Sequence, residues 1–431
     1  MTTETSERPG QQLAAEATIV ERRGFELPTR PFPGFRRLAR DFGALYVANG
    51  FIGLVFAATG PVAVILAVGQ QGGLSRAQIA SWLFGVFFLN GILTVLACWS
   101  YRQPLGFFWT IPGTVLVGPA LTHLAWPEVV GAFVATGVLI LVLGLTGWVR
   151  RIMDWLPMPI VMGMVAGVFL SFGLKLVRAV VSDIAIAGPM VALFLVLSWR
   201  AALGRWLPPI IGALLAGALA VASSGRFTPG PVTEVIASPV FPAPQWSWQA
   251  MLELVIPLTI TVLVVQNGQG VAVLRSAGHK APVNTSAVLC GVWSVLTSFV
   301  GAVSTCLTGP TNALLAASGE RSRHYAAGIS CGLLAMVFGL FAPLFTQWML
   351  GAPGAFIAAL GGLAMLRVLQ NSFVSAFRGR FTMGALVTFV VTVSGVQVMS
   401  ISSAFWGLLA GLVVSWMLER DDFAAEGARA G

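Results

Sequence analysis

The sequence predicts an all-α polytopic membrane protein with 14 transmembrane segments in a 7+7 inverted repeat, in which segments 3 and 10 are half-helices. Three observations support this fold class. The 431 residues are 57% hydrophobic and only 10% charged, whereas a soluble protein carries about 25% charged residues. Apolar stretches long enough to cross a bilayer recur along the chain. Two stretches, about 200 residues apart, contain a Pro/Gly interruption in corresponding places of the two halves.

The hydrophobic stretches divide into two sets of seven. The first set runs about 43–69, 77–98, 104–124, 128–149, 156–178, 185–200 and 207–223, and the second about 250–275, 284–301, 303–319, 325–346, 353–370, 382–399 and 402–418. An odd number of spans per half inserts the second half upside down relative to the first, which is the inverted-repeat arrangement. Segments 3 and 10 are each predicted as a short leading strand followed by a half-helix.

The remaining stretches are polar and define the domain boundaries. Residues 1–42 are predicted to be a disordered cytoplasmic tail, because they carry seven arginines and lack the apolar core of a signal peptide. We expect the first repeat at 43–223, a periplasmic linker at 224–249, the second repeat at 250–418 and a cytoplasmic tail at 419–431.

The basic residues predict the orientation of the chain. With both termini in the cytoplasm, only four of the 25 lysines and arginines (Arg76, Lys175, Arg178 and Arg226) fall outside. This asymmetry is what the positive-inside rule requires of a protein in the bacterial inner membrane. It also explains the net charge of +9 without a nucleic-acid partner. The four cysteines show no metal-ligand spacing, so neither a metal nor a cofactor is expected.

The two interrupted segments are the first candidate site. Trp109, Thr110 and Gly113 open the first, and Thr308, Gly309, Thr311 and Asn312 open the second. Each break is followed by only about 10 apolar residues, too few to cross a bilayer that needs about 20. Unwound backbone at membrane depth occurs where protein or a water-filled cavity satisfies its polar groups. The alternative is a re-entrant turn with a purely structural role.

Two helices supply further candidate residues. Thr59 and Gly60 precede Pro61 and are predicted to break the first helix near its middle, with a simple proline kink as the alternative. Gln266, Asn267 and Gln269 place three amides within the eighth segment. Amides at mid-membrane are costly unless they find partners, so they either bind a ligand or form a cluster that packs helices together.

The charges near these breaks favour an anionic ligand. All 16 acidic residues are predicted to lie in tails, loops or helix ends, whereas cation and proton sites of transporters usually contain a membrane-embedded Asp, Glu or His. Two half-helices that meet at the midplane point their positive N-termini into the site. Trp109 and neighbouring aromatic residues could stack on a ring. No nucleophile elbow, zinc motif or Walker loop predicts an enzyme.

Four stretches resemble the benzoate:proton symporter family of bacterial inner membranes: Pro104–Gly113 (PLGFFWTIPG), Gln266–Gly278 (QNGQGVAVLRSAG), Arg323–Ala327 (RHYAA) and Ile79–Gly85 (IASWLFG). The resemblance spans about residues 40–418. It implies a fold related to nucleobase and sulfate-type transporters, with a core domain (segments 1–4 and 8–11), a gate domain (segments 5–7 and 12–14) and a possible homodimer.

The resemblance also implies a function, which is import of benzoate or a similar aromatic carboxylate together with a proton. Nucleobase relatives grip the base with glutamates where this chain has Gln266, Asn267 and Asn312, which agrees with a carboxylate substrate. The stretch Cys306–Thr311 departs from the Asn- and Ala-rich version of some relatives. Two alternatives stay open: a facilitative or exchange-type transporter of another organic or inorganic anion, and a non-transporting membrane protein.

Overall fold

The computed structural model describes residues 19–22, 25–28, 32–149, 156–199, 207–230, 234–317, 319–396, 398 and 403–423. Most of the predicted N-terminal tail, and residues 424–431 of the predicted C-terminal tail, lie outside the described residues. The elements up to the long loop are β1 Ile19–Arg22, β2 Phe25–Pro28, α1 Phe35–Asp41, α2 Ala44–Gln71, α3 Arg76–Tyr101, β3 Phe107–Trp109, α4 Ile111–Ala120, α5 Trp126–Thr146, α6 Met158–Ser182, α7 Ile184–Trp199 and α8 Pro209–Ser224.

The elements after the long loop are α9 Trp248–Ser276, α10 Val283–Ser298, β4 Thr305–Leu307, α11 Gly309–Leu315, α12 His324–Leu340, α13 Ala342–Leu350, α14 Gly354–Phe377, α15 Thr382–Ser394 and α16 Ser403–Leu418. Helix α3 contains a π-helical turn at Gly85–Leu89, and α9 contains two, at Met251–Val255 and Thr261–Asn267. Each π-turn inserts an extra residue and rotates the side chains that follow it.

Seven helices of the described chain are long and apolar enough to cross a membrane: α2, α3, α5, α6, α9, α12 with the turn before it, and α14. Six more apolar helices of 10–17 residues accompany them: α4, α7, α8, α10, α15 and α16. This composition is that of a multi-pass membrane protein.

The helices pack in two groups. In the first, α12 packs along α2 and α3, and α10 packs along α5. In the second, α6 packs along α14 and α15, α15 along α16, and α7 along α8. The two groups meet where α2 contacts α14 and where α4 contacts α6. Helices α4 and α11, which follow the two interrupted segments, both pack against α2.

Strands β3 and β4 bring the two interrupted segments together. They pair antiparallel, with Phe107 opposite Leu307, Phe108 opposite Cys306 and Trp109 opposite Thr305. The pairing continues on both sides of the strands, because Thr110 N–H donates to Ser304 O (3.1 Å) and Thr308 N–H donates to Gly106 O (3.1 Å). Helices α4 and α11 therefore begin side by side, although about 200 residues separate them.

The N-terminal region differs from the predicted disordered tail over part of its length. Strands β1 and β2 form an antiparallel hairpin. Glu26 is 2% exposed, and its carboxylate accepts the N–H groups of Asn284 (3.3 Å) and Thr285 (3.1 Å). These amides belong to the first turn of α10, where an acceptor satisfies donors that the helix cannot. Tyr101 Oη–H also donates to Glu26 O (2.8 Å). These hydrogen bonds attach the polar segment to α10 and to Tyr101 of α3.

The first long helix also differs from expectation. Helix α2 runs unbroken through Pro61, so the predicted break at Thr59–Pro61 is wrong. Thr59 Oγ1–H donates to the carbonyls of Val55 (2.8 Å) and Phe56 (3.2 Å), the ordinary hydrogen bonds of a helical threonine. The proline costs the helix one hydrogen bond but does not end it.

Candidate functional site

A small cavity lies where β3, α4 and α11 meet helices α2 and α9. Its empty volume is about 270 Å³, and it is narrow enough that it holds about one water molecule. Its lining residues are Phe56, Ala57, Pro61, Phe108, Trp109, Ile111, Gln266, Thr308, Pro310 and Thr311. Four predicted site residues, Trp109, Gln266, Thr308 and Thr311, are therefore brought together in one cavity.

Polar side chains around β3 and β4 satisfy strand amides that have no third strand to pair with. Thr94 Oγ1 accepts from Phe107 N–H (2.9 Å), and Ser294 Oγ accepts from Thr305 N–H (2.9 Å). Asn267 Oδ1 accepts from Leu307 N–H (2.7 Å), and Asn312 Oδ1 accepts from Gly106 N–H (2.6 Å). Asn267 and Asn312 thus hold the backbone of the strands, which is a different role from the ligand contact that the sequence predicts for them.

Gln266 is the polar side chain that this network leaves out. It is 4% exposed and lines the cavity, and its Oε1 has no hydrogen-bond partner among the described residues. A buried amide without a partner loses its hydration and gains nothing in exchange, which costs about 1–3 kcal/mol. An unpaired buried polar group in a native fold calls for an explanation, and a ligand in the cavity supplies one.

Aromatic residues form the wall beside this amide. Trp109 is 1% exposed and stands edge-on to Phe87, with ring centroids 5.1 Å apart, and to Phe108, at 6.1 Å. Trp109 Nε1 is a second buried atom without a partner among the described residues. The cavity therefore combines aromatic side chains with one uncommitted acceptor, Gln266 Oε1, and one uncommitted donor, Trp109 Nε1, and its described lining residues include no carboxylate.

Thr110 caps the N-terminus of α4, the helix that follows the first interruption. Its Oγ1 accepts the Gly113 N–H (3.1 Å) as the N-cap of α4 and lies 3.0 Å from Thr261 Oγ1. Gly113 is a predicted site residue, but its amide already has an acceptor in Thr110 and is not free for a ligand. An N-cap of this kind is a common way to satisfy the first helical amides.

The remaining predicted residues, Gly60, Gly309 and Gln269, do not line the cavity. A side chain on Gly60 would collide with Ala364 of α14, and one on Gly309 would come within 2.7 Å of Gln269 Cβ. Gln269 itself is exposed. These glycines permit helices to approach one another closely and do not face the cavity. Ala57 and Ile111 line the cavity and were not predicted, because small and aliphatic residues give no chemical signal in a sequence that is mostly apolar.

Ionisable side chains do not occur in the described lining of the cavity. Two pairs of them lie elsewhere in the described chain. Glu253, 1% exposed in the first π-turn of α9, accepts a hydrogen bond from His123 Nε2 at 2.9 Å. His279 Nε2 and His324 Nδ1 are 3.1 Å apart near the opposite end of α9. Burial, His324 and Arg321 lower the pKa of His279 to about 4, so this ring is neutral at ordinary pH. Within the described residues no group of three potential metal ligands occurs.

Paired short helices that begin at a cavity inside a multi-pass helical protein define the class: this is a membrane transport protein and not an enzyme. The family model "Benzoate membrane transport protein" (BenE) matches residues 41–417. The chain belongs to the benzoate membrane transport protein family, as its sequence motifs predicted.

Two curated relatives extend this assignment over most of the chain. The Benzoate membrane transport protein of Acinetobacter baylyi is 27% identical over 390 residues, which cover 89% of this chain and 97% of the relative. The Inner membrane protein YdcO of Escherichia coli (strain K12) is 30% identical over 369 residues, which cover 84% of this chain and 93% of the relative.

Solved structures show the same fold at low identity. The transmembrane domain of the cyanobacterium bicarbonate transporter BicA superposes with a TM-score of 0.60 at 16% identity, covering 88% of this chain and 99% of that chain. Murine Slc26a9, an anion transporter in the inward-facing state, superposes with a TM-score of 0.64 at 14% identity, covering 96% of this chain and 72% of that chain. The predicted relation to transporters of this fold is thereby confirmed.

Proposed function

We propose that this protein imports benzoate or a similar aromatic carboxylate across the bacterial inner membrane, together with a proton, by alternating access. One observation carries the proposal: Trp109 Nε1, a buried hydrogen-bond donor without a partner among the described residues, belongs to the lining of a cavity that has an aromatic wall and no described carboxylate. An indole N–H is a suitable partner for a carboxylate oxygen, and the side-chain NH2 of Gln266 is a second donor of this kind. The family name supports benzoate as the substrate.

The cavity offers complementary surfaces to such a substrate. The ring would lie against Trp109, Phe108 and Phe56, and the carboxylate would face Gln266 and the hydroxyls of Thr308 and Thr311. Ile111 and Pro310 also line the cavity, so the positive ends of α4 and α11 lie on the same side as the expected negative charge. Since the cavity now holds about one water molecule, the elements that line it must move apart before benzoate can enter.

We also propose the full architecture that the sequence predicts: 14 spans in two inverted repeats, a core and a gate domain, both termini in the cytoplasm and an assembly into homodimers. The hydrogen bonds around β3 and β4 support the repeat. Thr94 and Ser294 accept equivalent strand amides, and the bonds from Thr110 to Ser304 and from Thr308 to Gly106 exchange places under a two-fold rotation.

The two transport hypotheses differ in whether a proton moves together with the substrate. The described lining of the cavity contains no titratable side chain, which favours a facilitative or exchange-type anion transporter unless a proton travels elsewhere. The pair of His123 with the buried Glu253 is a candidate carrier of that proton. The bicarbonate transporter of the same fold is consistent with either scheme.

Uptake of radiolabelled benzoate into proteoliposomes tests the function. We expect uptake above that of protein-free liposomes, which report the passive flux of neutral benzoic acid, and we expect unlabelled benzoate but not uracil to compete. Acceleration by an inward proton gradient that a protonophore abolishes indicates symport, whereas unchanged counterflow without a gradient indicates exchange. Absence of carrier-mediated flux, together with absence of thermal stabilisation by benzoate, would leave a non-transporting membrane protein.

A further inference from the structure

A much larger crevice lies between the two groups of helices, at the end where α2 terminates. Its empty volume is about 980 Å³, and it is enclosed by α2 and α4 on one side and by α6, α15 and the start of α16 on the other. A second cavity adjoins it through the shared residues Gln71, Phe172 and Lys175. These three residues therefore stand at the junction of two open spaces.

Lys175 is the charged residue of this crevice. Its Nζ donates to Gln71 Oε1 at 2.9 Å and lies 5.4 Å from the centre of the Phe172 ring. The described residues that line either cavity include no carboxylate. On the same face of the protein, Arg226 is paired with Asp183 at 2.9 Å. Lys175 thus directs a positive charge into a mainly apolar crevice, with only a neutral amide as its partner.

Helix α4 contributes residues to both the crevice and the central cavity. Ile111 lines the central cavity, and Val115, one helical turn further along α4, lines the crevice. Residues four apart lie on the same face of a helix. A ligand that leaves the crevice toward the middle of the protein would therefore move along one face of α4.

We propose that Lys175, Gln71 and Phe172 form a second binding site, which captures the aromatic carboxylate before it reaches the central cavity. The inference rests on the proposed function for the identity of its ligand. The ammonium pairs with the carboxylate, the Gln71 amide donates a second hydrogen bond, and the ring packs on Phe172 and on the apolar wall of α4. The attraction between the two opposite charges falls with distance and with the surrounding dielectric constant, so the mainly apolar walls of the crevice strengthen it.

Initial rates of benzoate uptake in proteoliposomes test the site. Lys175→Gln should raise KM about tenfold, equivalent to about 1.4 kcal/mol, and leave kcat within about twofold, since the central cavity is unchanged. Lys175→Arg should restore most of the affinity. Arg178→Gln, at an exposed position one turn away, is the matched control and should resemble the wild type.

The salt dependence of KM distinguishes a lysine that binds the substrate from one that only supports the structure or anchors the protein in the lipid. Salt screens exposed charges over about 10 Å at 0.1 M, so the wild-type KM should rise with salt and that of Lys175→Gln should not. If Lys175→Gln keeps the wild-type KM and salt dependence while the wild type transports benzoate, the capture site is refuted and the proposed function stands.

A labelling measurement separates the two proposals when transport fails. The native cysteines Cys98, Cys290, Cys306 and Cys331 are all buried, so Ser171→Cys, which places a thiol in the crevice, can be followed with an anionic thiol reagent. Benzoate should slow this reaction, and the added change Lys175→Gln should remove the protection. Protection without uptake would retain the site and overturn the function; an absence of protection would overturn the site.

Discussion

Gln266 and Asn267 are adjacent and carry the same amide group, but they have different roles at this site. Both are buried in the same π-turn of α9. Asn267 Oδ1 accepts the Leu307 amide at 2.7 Å, whereas Gln266 lines the cavity and its Oε1 has no partner among the described residues. One amide therefore stabilises the fold, and the other is available to a ligand.

We predict opposite effects for these neighbours. Gln266→Leu should raise the KM for benzoate at least tenfold, because the carboxylate loses a donor, and should leave the thermal midpoint unchanged or higher, because an unpaired buried amide is removed. Asn267→Leu should lower stability by about 1–3 kcal/mol, because the buried Leu307 N–H loses its acceptor. Uptake kinetics and thermal unfolding in detergent measure the two quantities on the same preparations. A Gln266 variant that unfolds early yet binds normally would contradict this division of roles.

The sequence could identify these residues but could not distinguish their roles. Trp109, Gln266, Thr308 and Thr311 were predictable because Pro/Gly breaks and amides are conspicuous in apolar segments. Which amide faces the cavity depends on the π-turn Thr261–Asn267, which rotates the helix away from its ideal period. Helical periodicity alone therefore does not determine which of the two side chains faces the cavity.

At the scale of elements, the strands β3 and β4 were only partly predictable. Each has three residues, and two short strands are not stable in isolation. They exist because the pairing across about 200 residues, and the side chains of Thr94, Asn267 and Ser294, satisfy their amides. The sequence shows the interruption of each helix but contains no local signal for its distant partner.

The β1–β2 hairpin is the element for which amino-acid composition gave the poorest prediction. Its region is polar and arginine-rich, which predicts disorder, yet the Glu26 carboxylate accepts amides of Asn284 and Thr285 in α10. A single well-placed acid at a helix N-terminus is invisible to an average over residues. The segment is held by this cap and by the Tyr101 hydroxyl.

We predict that Glu26→Ala lowers the stability of the protein by about 1 kcal/mol, the usual cost of losing an N-terminal cap. The negative charge near the helix dipole adds to this value, so Glu26→Gln should be intermediate. Thermal unfolding in detergent measures the effect, with the exposed Glu234→Gln as the control. Equal unfolding midpoints for Glu26→Ala and the wild type would show that the hairpin does not support α10.

At the scale of the whole molecule, the sequence predicts which segments are helices better than it predicts which helices pack together. Hydropathy locates the apolar segments, but the packing of α12 on α2 and of α14 on α6 joins parts of the chain that are far apart in sequence. Small residues mark such contacts in membranes, because they permit close approach. Gly60 is an example: its position beside Pro61 suggested a ligand site, whereas the structure places it against Ala364 of α14.

Gly60 lies at the contact between α2 and α14, where the two groups of helices meet. The proposed alternating access requires the groups to move relative to each other at this contact. A Cβ at Gly60 would collide with Ala364, while a Cβ at Gly361 would meet Phe172 at 3.5 Å and Ala63 at 3.8 Å, which is ordinary contact. We therefore predict that Gly60→Ala lowers kcat for benzoate uptake at least fivefold, because overpacking typically costs about 1–3 kcal/mol in the closely packed states of the cycle. Gly361→Ala, at the same interface, should transport normally. Initial rates at saturating benzoate, with both variants reconstituted at equal density, decide the matter: equal rates would mean that this contact does not limit the movement of the two helix groups.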